Sequence, residues 1–381
     1  MKHDLIVFGE DWGGLPSSTQ HLIKQLSLTR KVIWINSIGL RQPNWSLHDI
    51  KRAWHKLTQK KINTKEALQS APFQTINLKT IPAPKGRFFR WVAKQLIVKQ
   101  LKPIIKKAKL QHPILWTSLP TVADICGSLE EANVIYYCGD DFGALAGVDH
   151  GVVLEHEKKL IQKSDLILAA SPILCEKFPQ EKVKFLPHGV DFTLFNQPIF
   201  RAKDLPNDGR PIAGFYGSLS KWLDYDLLNQ VIETNPDWHF VFIGQNELPY
   251  QPILERNNVH FLGPKPHHQL PRYSQHWQAS LLPFIDNDQI RSCNPLKLLE
   301  YLATGTPIIS TDFPALAPYK SVIHTVNSIN EFNTSLNTIQ QHWLTLNKSE
   351  STQQRQQQFN LIKSHTWQAK AKQLDAWLEE L

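Results

Sequence analysis

The chain has 381 residues, 41% of them apolar, and a formal net charge of +8; it is too long for one small core and fits two domains of roughly 150 to 200 residues each. Its longest apolar runs, LILAA from Leu166 and ASLLPF from Ala279, fall far short of the ~20 residues a membrane-spanning helix needs. The opening MKHDLIVFGEDW turns acidic where a secretory signal would stay apolar, so a cytoplasmic protein is expected. Cys126, Cys138, Cys175 and Cys293 form no CxxC pair, which argues against a disulfide framework and against structural zinc.

The first predicted strand, LIVFG (5–9), runs into GEDWGGLPSSTQ, where Gly13 and Gly14 precede a helix capped by Ser17 or Ser18. Glycines there let backbone approach a bound group, although a tight turn alone would also use them. No GxGxxG pattern is present, which disfavours a nicotinamide-binding site. After KVIWIN (31–36) the composition changes. No Asp or Glu occurs from Ala67 to Ala123, while Lys79, Lys85, Arg87, Arg90, Lys94, Lys99, Lys102, Lys106, Lys107 and Lys109 all fall there. Phe88, Phe89, Trp91, Leu96 and Ile97 are interleaved with them, so the stretch predicts a basic amphipathic helix, interrupted near Pro103. Such a helix suits either an anionic membrane surface, touched through residues 79–109, or packing on its own domain with a solvated basic face. Nucleic acid is not an expected partner.

PILWTS (113–118), VIYYC (134–138), LILAAS (166–171) and VKFLPH (183–188) follow as further strands. Asp140 and Asp141 stand directly after one of them, at an edge where a cleft would open; paired Asp residues in that place also serve as helix caps. A polar, Pro-containing stretch at 196–209 reads as a linker between a first domain over 1–195 and a second over 210–365. The second repeats the pattern with IAGFYG (212–217), HFVFIG (239–244), VHFLG (259–263), ASLLPF (279–284) and PIIST (307–311). Continuous rather than alternating apolarity predicts strands buried on both faces, hence parallel α/β sheets with helices on each side. The Gln-rich tail keeps Ile362, Trp367, Leu374, Trp377 and Leu378 near helical spacing, so residues 366–381 are expected as a helix, one that could pack back on the first domain.

The segment CNPLKLLEYLATGTPIIST, from Cys293, predicts a short helix with Asn294 as its cap, Pro295 at its first position and Gly305 just past its end. Lys297 and Glu300, three residues apart, then share a face near the N-terminus, where amides and dipole favour an anion such as phosphate.

Three segments of the second half, GFYGSLSKWLDYDLL, VHFLGPKPHHQLPRYSQHWQASLLPF and NPLKLLEYLATGTPIISTDFPAL, resemble in order and spacing the donor-binding domain of GT-B glycosyltransferases of the large group 1 family, which are retaining and use nucleotide sugars. ASPILCEKFPQEKVKFLPHGVDFTLF is similar to that family's end-of-domain segment, with His188 where the family has Asn. The resemblance implies two Rossmann-like, doubly wound domains facing across a cleft. It also implies that Glu300 holds the donor ribose, a diol that a carboxylate suits because both oxygens accept, and that Lys297 meets the diphosphate.

This chain departs from the family at Ser292, eight residues before Glu300, where many members carry a second glutamate, and at Ser218, which takes the place of a phosphate-clamping Arg. Lys221 and Arg291 remain candidate phosphate ligands, Gly217 and Ser218 candidate neighbours of the donor, and Gly263 a turn near the base; His267 and His268 are expected at the surface. On the acceptor side the resemblance points to Gly13 and Gly14 and to one of Asp140 and Asp141 as the group orienting or deprotonating an acceptor hydroxyl, Asp141 being favoured. It implies no cofactor and no metal, only a nucleotide diphosphate sugar as co-substrate and a glycan or lipid-linked acceptor, in surface polysaccharide or lipopolysaccharide synthesis. Rival readings are an epimerase or phosphorylase on the same fold, and a non-catalytic anion-binding or membrane-surface protein.

Overall fold

A computed structural model describes residues 2–14, 17–37, 71–81, 86–145, 150–345 and 348–381; Lys85 of the basic stretch lies outside them. The chain divides into two compact units, one of Met1–Pro187 with Ala371–Leu381, the other of His188–Lys370.

In the first unit β1 (Leu5–Phe8), α1 (Ser18–Leu26), β2 (Val32–Ile35), β3 (Gln74–Ile76), α2 (Gly86–Ala108), β4 (Ile114–Thr117), β5 (Asn133–Cys138), α3 (His150–Lys163), β6 (Leu166–Ala169), α4 (Pro172–Cys175) and β7 (Val183–Phe185) follow in order. The strands form one sheet in the order β3-β2-β1-β4-β5-β6-β7, with every pairing parallel. All four residues of β1, β2, β4 and β6 are buried, as expected of strands covered on both faces. Beside them β3, QTI with two exposed residues, is an edge strand with no apolar run to announce it.

One detail of this unit departs from expectation. Pro103 does not interrupt the basic helix: α2 runs through it, turning Ala93, Ile97 and Leu101 inward, while Pro103 and Lys99 lie on the exposed side. A carbonyl that loses its helical donor there can turn to water. The helix expected over 366–381 is present as α12 (Trp367–Glu379), and a separate helix, α11 (Lys348–Ile362), precedes it, the two parted where Val190 N–H donates to His365 O (2.8 Å). From Ala371 onward α12 belongs to the first unit, where Leu374 and Leu378 are fully buried.

The second unit contains α5 (Phe192–Asn196), β8 (Ile212–Tyr216), α6 (Tyr225–Thr234), β9 (His239–Ile243), β10 (Val259–Phe261), α7 (Pro271–Ser274), β11 (Ala279–Leu282), α8 (Asp288–Ser292), α9 (Leu296–Thr304), β12 (Ile308–Thr311), β13 (His324–Val326) and α10 (Ile329–Thr345), followed by α11. Its parallel sheet has the order β10-β9-β8-β11-β12-β13. The division of the chain falls after Pro187, not at 195, and residues 196–209 are part of this unit. Ala202 and Leu205 are buried in its core, because the stretch packs along the sheet's helical layer instead of crossing open solvent.

In both sheets the strand order reverses direction beside the first strand, between β1 and β4 and between β8 and β11. Ligands of open α/β sheets bind outside the carboxyl ends of the strands at such switch points.

Candidate functional site

At the switch point of the second sheet β8 ends on Tyr216, and Gly217 follows with φ +135°, its N–H donating to Ile243 O (2.8 Å). A Cβ on Gly217 would stand 2.3 Å from Lys297 Cε, and one on Gly244 would stand 1.9 Å from Gly217 O. The two glycines at the ends of neighbouring strands thus make the space through which the Lys297 chain passes.

Lys297 is carried by α9, which begins differently from expectation. Pro295 occupies the cap position rather than the first turn, and no side chain caps the helix; Asn294 lies one residue further out. The Pro295 carbonyl accepts from Leu298 N–H (3.1 Å), while its side chain offers no acceptor to the amides of Leu296 and Lys297 ahead of it, where a helix N-terminus favours an anion. Gly305, φ +74°, ends the helix as expected.

Among the described residues no hydrogen bond or ion pair holds the Lys297 ammonium, which sits 5.8 Å from the centre of the Phe215 ring. Burial lowers its pKa, opposed by the charges of Glu300 and Cys293. An ammonium held in protein without a counter-ion is a place for an anionic ligand.

Glu300, one turn further along α9, is 4% exposed. Its Oε2 accepts from Tyr216 Oη (2.7 Å), and its Oε1 is paired with His267 Nε2 (2.6 Å). His267 is therefore not a surface histidine. It follows the Gly263 turn, its ring lies 5.4 Å from that of Phe195, and burial works against its protonated form while the hydrogen bond and charge of Glu300, with the charge of Asp191, prevail and raise its pKa. Asp191, from the HGVD segment, caps α5 by accepting from Leu194 N–H (3.0 Å), and Asn196 at the end of that helix bonds Ala303 O of α9 (3.4 Å). The segment thus braces the helix that bears Lys297 and Glu300.

The remaining candidates of this unit separate. Ser218 is half-buried directly beyond Gly217, Gly263 accepts from Gly244 N–H (3.1 Å), and Lys221 and His268 are exposed. Arg291 is engaged elsewhere: its guanidinium holds both oxygens of Asp286 (2.7 and 2.8 Å) and lies 3.5 Å from Asp288, because the α8 loop supplies two carboxylates within reach. Ser292 is buried at the end of α8.

In the first unit Ser17, not Ser18, caps α1, accepting from Gln20 N–H (3.1 Å). Gly13 and Gly14 form an exposed turn, closed by Gly14 N–H to Asp11 O (3.0 Å). Asp141, the favoured carboxylate, is occupied: Oδ1 accepts from Gly143 N–H (3.0 Å), and Oδ2 pairs with Lys177. Asp140 is exposed. Sequence reasoning passed over Glu10, at the switch point between β1 and β4. Its Oε1 is buried with no hydrogen-bond partner, as are Ser118 Oγ and Thr121 Oγ1. Burial chiefly raises its pKa, with the charge of Asp11 adding to it. The signal was an acid placed directly after a fully buried strand. Among the described residues no group of three or more His, Cys, Asp or Glu could hold a metal ion.

Residues 196–334 match the family "Glycosyl transferases group 1". This segment, the greater part of the second unit, is similar to that family's domain. The match covers the switch point, Lys297 and Glu300 of that domain. Among curated proteins the chain is similar to the "Putative teichuronic acid biosynthesis glycosyltransferase TuaH" of Bacillus subtilis (strain 168), 26% identical over 225 residues. That similarity spans 53% of this chain and 56% of the relative, a little over half its length.

Solved structures show that the domain sits in a GT-B chain. Sucrose-phosphate synthase from Thermosynechococcus elongatus matches with a TM-score of 0.69 at 15% identity, over 100% of this chain and 99% of that one. Anabaena HepE, in complex with UDP and glucose, matches with a TM-score of 0.68 at 12% identity over 100% of both chains.

Proposed function

We propose that this protein transfers a sugar from a nucleoside diphosphate sugar to a hydroxyl of a glycan or lipid-linked acceptor, in the synthesis of a surface polysaccharide, with retention at the anomeric carbon. The observation that carries the reading is the α9 face itself: the Lys297 ammonium has no counter-ion among the described residues, and Glu300 lies one turn away at a switch point opened by Gly217 and Gly244. Diphosphate would take Lys297 and the leading amides of α9, and ribose would take Glu300. The complexes of HepE with UDP and with UDP-glucose support a uridine donor, and the TuaH likeness supports a polysaccharide product.

Departure of a nucleoside diphosphate needs its growing negative charge stabilised. Lys297 and the helix dipole supply a positive field for this, so the reading calls for no cofactor and no divalent cation, and chelator should leave turnover unchanged. On the acceptor side Glu10 and Asp140 are carboxylates without an ion pair among the described residues.

A thermal-shift series with UDP, ADP and GDP tests the nucleotide reading, since ligand at 100 times its Kd stabilises by about 2.7 kcal/mol. Lys297→Ala and Glu300→Ala should each abolish the shift in a folded protein. Absence of any shift with all three nucleotides would sink the reading.

A membrane contact is the second part of the proposal, and α2 supports it. Phe88, Phe89 and Trp91 are 67%, 55% and 58% exposed and lie ring to ring, with centroids 5.7 and 6.4 Å apart. Lys99, Lys106, Lys107 and Lys109 are exposed along the same acid-free stretch. Aromatic side chains inserted among headgroups with lysines above anionic lipid is the usual interfacial arrangement. Co-sedimentation with phosphatidylglycerol vesicles, absent with phosphatidylcholine and lost in the Phe88→Ser/Phe89→Ser/Trp91→Ser triple variant, is the expected result. No helix among the described residues is long and apolar enough to cross a membrane.

A further inference from the structure

We propose that His267 is a proton-linked latch on the ribose subsite: its imidazolium occupies the accessible oxygen of Glu300 until a donor's diol displaces it. The inference rests on the reading above, in which Glu300 takes the ribose.

The two partners of Glu300 are not equivalent. Tyr216, which holds Oε2, is 3% exposed and anchored at the end of β8. His267, which holds Oε1, keeps 20% of its side chain exposed against 5% for that of Glu300. The histidine therefore covers the solvent side of the carboxylate, and the tyrosine braces its inner side. A carboxylate offers about four lone-pair sites, and a ribose diol needs one acceptor for each hydroxyl. With Oε2 held from within, the approach to Glu300 passes through the place of the imidazole.

His267 opens a single 3-10 turn, His267–Gln269, just after Pro266. Swinging its ring away gives up the pair with Glu300 and the ring contact with Phe195 and leaves the sheet intact. Without a ligand the pair is advantageous, because a carboxylate this deep would otherwise lack a counter-charge. Gly263, Lys265 and Pro266 link this turn to β10, so the latch lies on the loop that the family resemblance places near the nucleotide base.

Proton linkage follows from the charged groups around the ring. Glu300 of α9 and Asp191 ahead of α5 both favour the imidazolium, and burial opposes them without prevailing. Lys297, on the Glu300 face of α9, is a cation that acts on the same carboxylate. Displaced into water, His267 returns to an ordinary pKa of about 6.5, and the proton goes to solvent. Donor affinity is then weakest and flat below that value, where the ring is charged in both states. It rises with pH up to the raised value of the closed state and is flat above it.

The test is calorimetric titration at pH 5.5, 7 and 8.5 with UDP-glucose, ADP-glucose and GDP-mannose, sugars whose diphosphates carry no group titrating in that range. The expected result is tighter binding at pH 8.5 than at 5.5, with proton release at pH 7 seen as a dependence of the heat on buffer ionisation. His267→Gln, which keeps a donor but not the titration, should bind equally at all three pH values. His267→Ala should bind about tenfold tighter than the native protein at pH 5.5, the size of one charge-assisted hydrogen bond. Binding that is independent of pH in the native protein, or weaker in His267→Ala and restored in His267→Gln, would overturn the latch and make His267 a fixed support for Glu300. If none of the three sugars binds at any pH, the nucleotide reading falls and the latch with it.

Discussion

Lys297 runs past Gly217 so closely that any side chain there would put its Cβ 2.3 Å from Cε and 2.9 Å from Nζ. The backbone at Gly217, φ +135°, is also one that other residues rarely adopt. Gly217→Ala should therefore act twice, straining the end of β8 and pushing the ammonium off the switch point. The expected outcome is a stability loss of about 1–3 kcal/mol and a loss of nucleotide affinity of roughly tenfold or more, read by urea denaturation and calorimetry. Unchanged affinity in the folded variant would mean that the ammonium contributes nothing at that point.

Replacing Lys297 itself should separate stability from binding. Burial lowers its pKa against the pull of Glu300, so the folded state holds that proton less well than the unfolded chain does. Between the lowered native pKa and the ordinary lysine value the unfolded state binds more protons, and stability rises with pH across that window; below it the cost of the buried charge is constant. Lys297→Met removes this cost. At neutral pH it should raise the melting temperature, by about 2–4 °C for roughly 1 kcal/mol, while nucleotide binding is lost. A variant that both melts earlier and binds normally would contradict the placement of the ammonium.

The sequence named Arg291 as a phosphate ligand, and the structure shows it forked onto Asp286. The pair is exposed on both sides, where water and salt screen ion pairs so that they contribute little. Arg291→Ala should change nucleotide affinity by no more than about twofold and leave the melting temperature essentially unchanged. A tenfold loss of affinity would mean that ligand draws the guanidinium away from Asp286.

The reading of the chain worked best where local signals and burial coincide. β8, β9 and β11 are buried at every residue, so each appears as an unbroken apolar run. β13, HTV at the edge of its sheet and only partly buried, carries no such mark. Lys297 and Glu300 were legible because one helix turn brings them together, and Gly305 because a helix end needs its left-handed backbone. Tyr216 and His267 were not, since they reach Glu300 across 84 and 33 residues of chain and only the folded sheet sets that proximity. Pro103 misled for the opposite reason: a proline is a local signal, and the burial of Ile97 and Leu101 on the far face of α2 overrides it.

The tail of the chain offers a prediction independent of any ligand. Arg30, whose side chain has no exposure, pairs through its guanidinium with Asp375 of α12 at 2.7 Å and donates to His3 O (2.7 Å); Lys2 adds a second cation to the same carboxylate (3.0 Å). Burial alone would raise the Asp375 pKa, but Arg30 and Lys2 outweigh it and hold it below the ordinary value. A depressed carboxyl stabilises fully above its unfolded pKa, and that contribution fades as pH falls from about 5 through the native value. Asp375→Ala leaves a buried guanidinium without its counter-ion and should destabilise the first unit by about 3 kcal/mol at pH 7. As pH approaches 3 the difference from the native protein should shrink. Hydrogen exchange on β1 and β2, followed in both proteins from pH 7 to pH 4, reads the effect in the unit concerned. Equal protection at pH 7 would show that α12 is held by Leu374 and Leu378 alone.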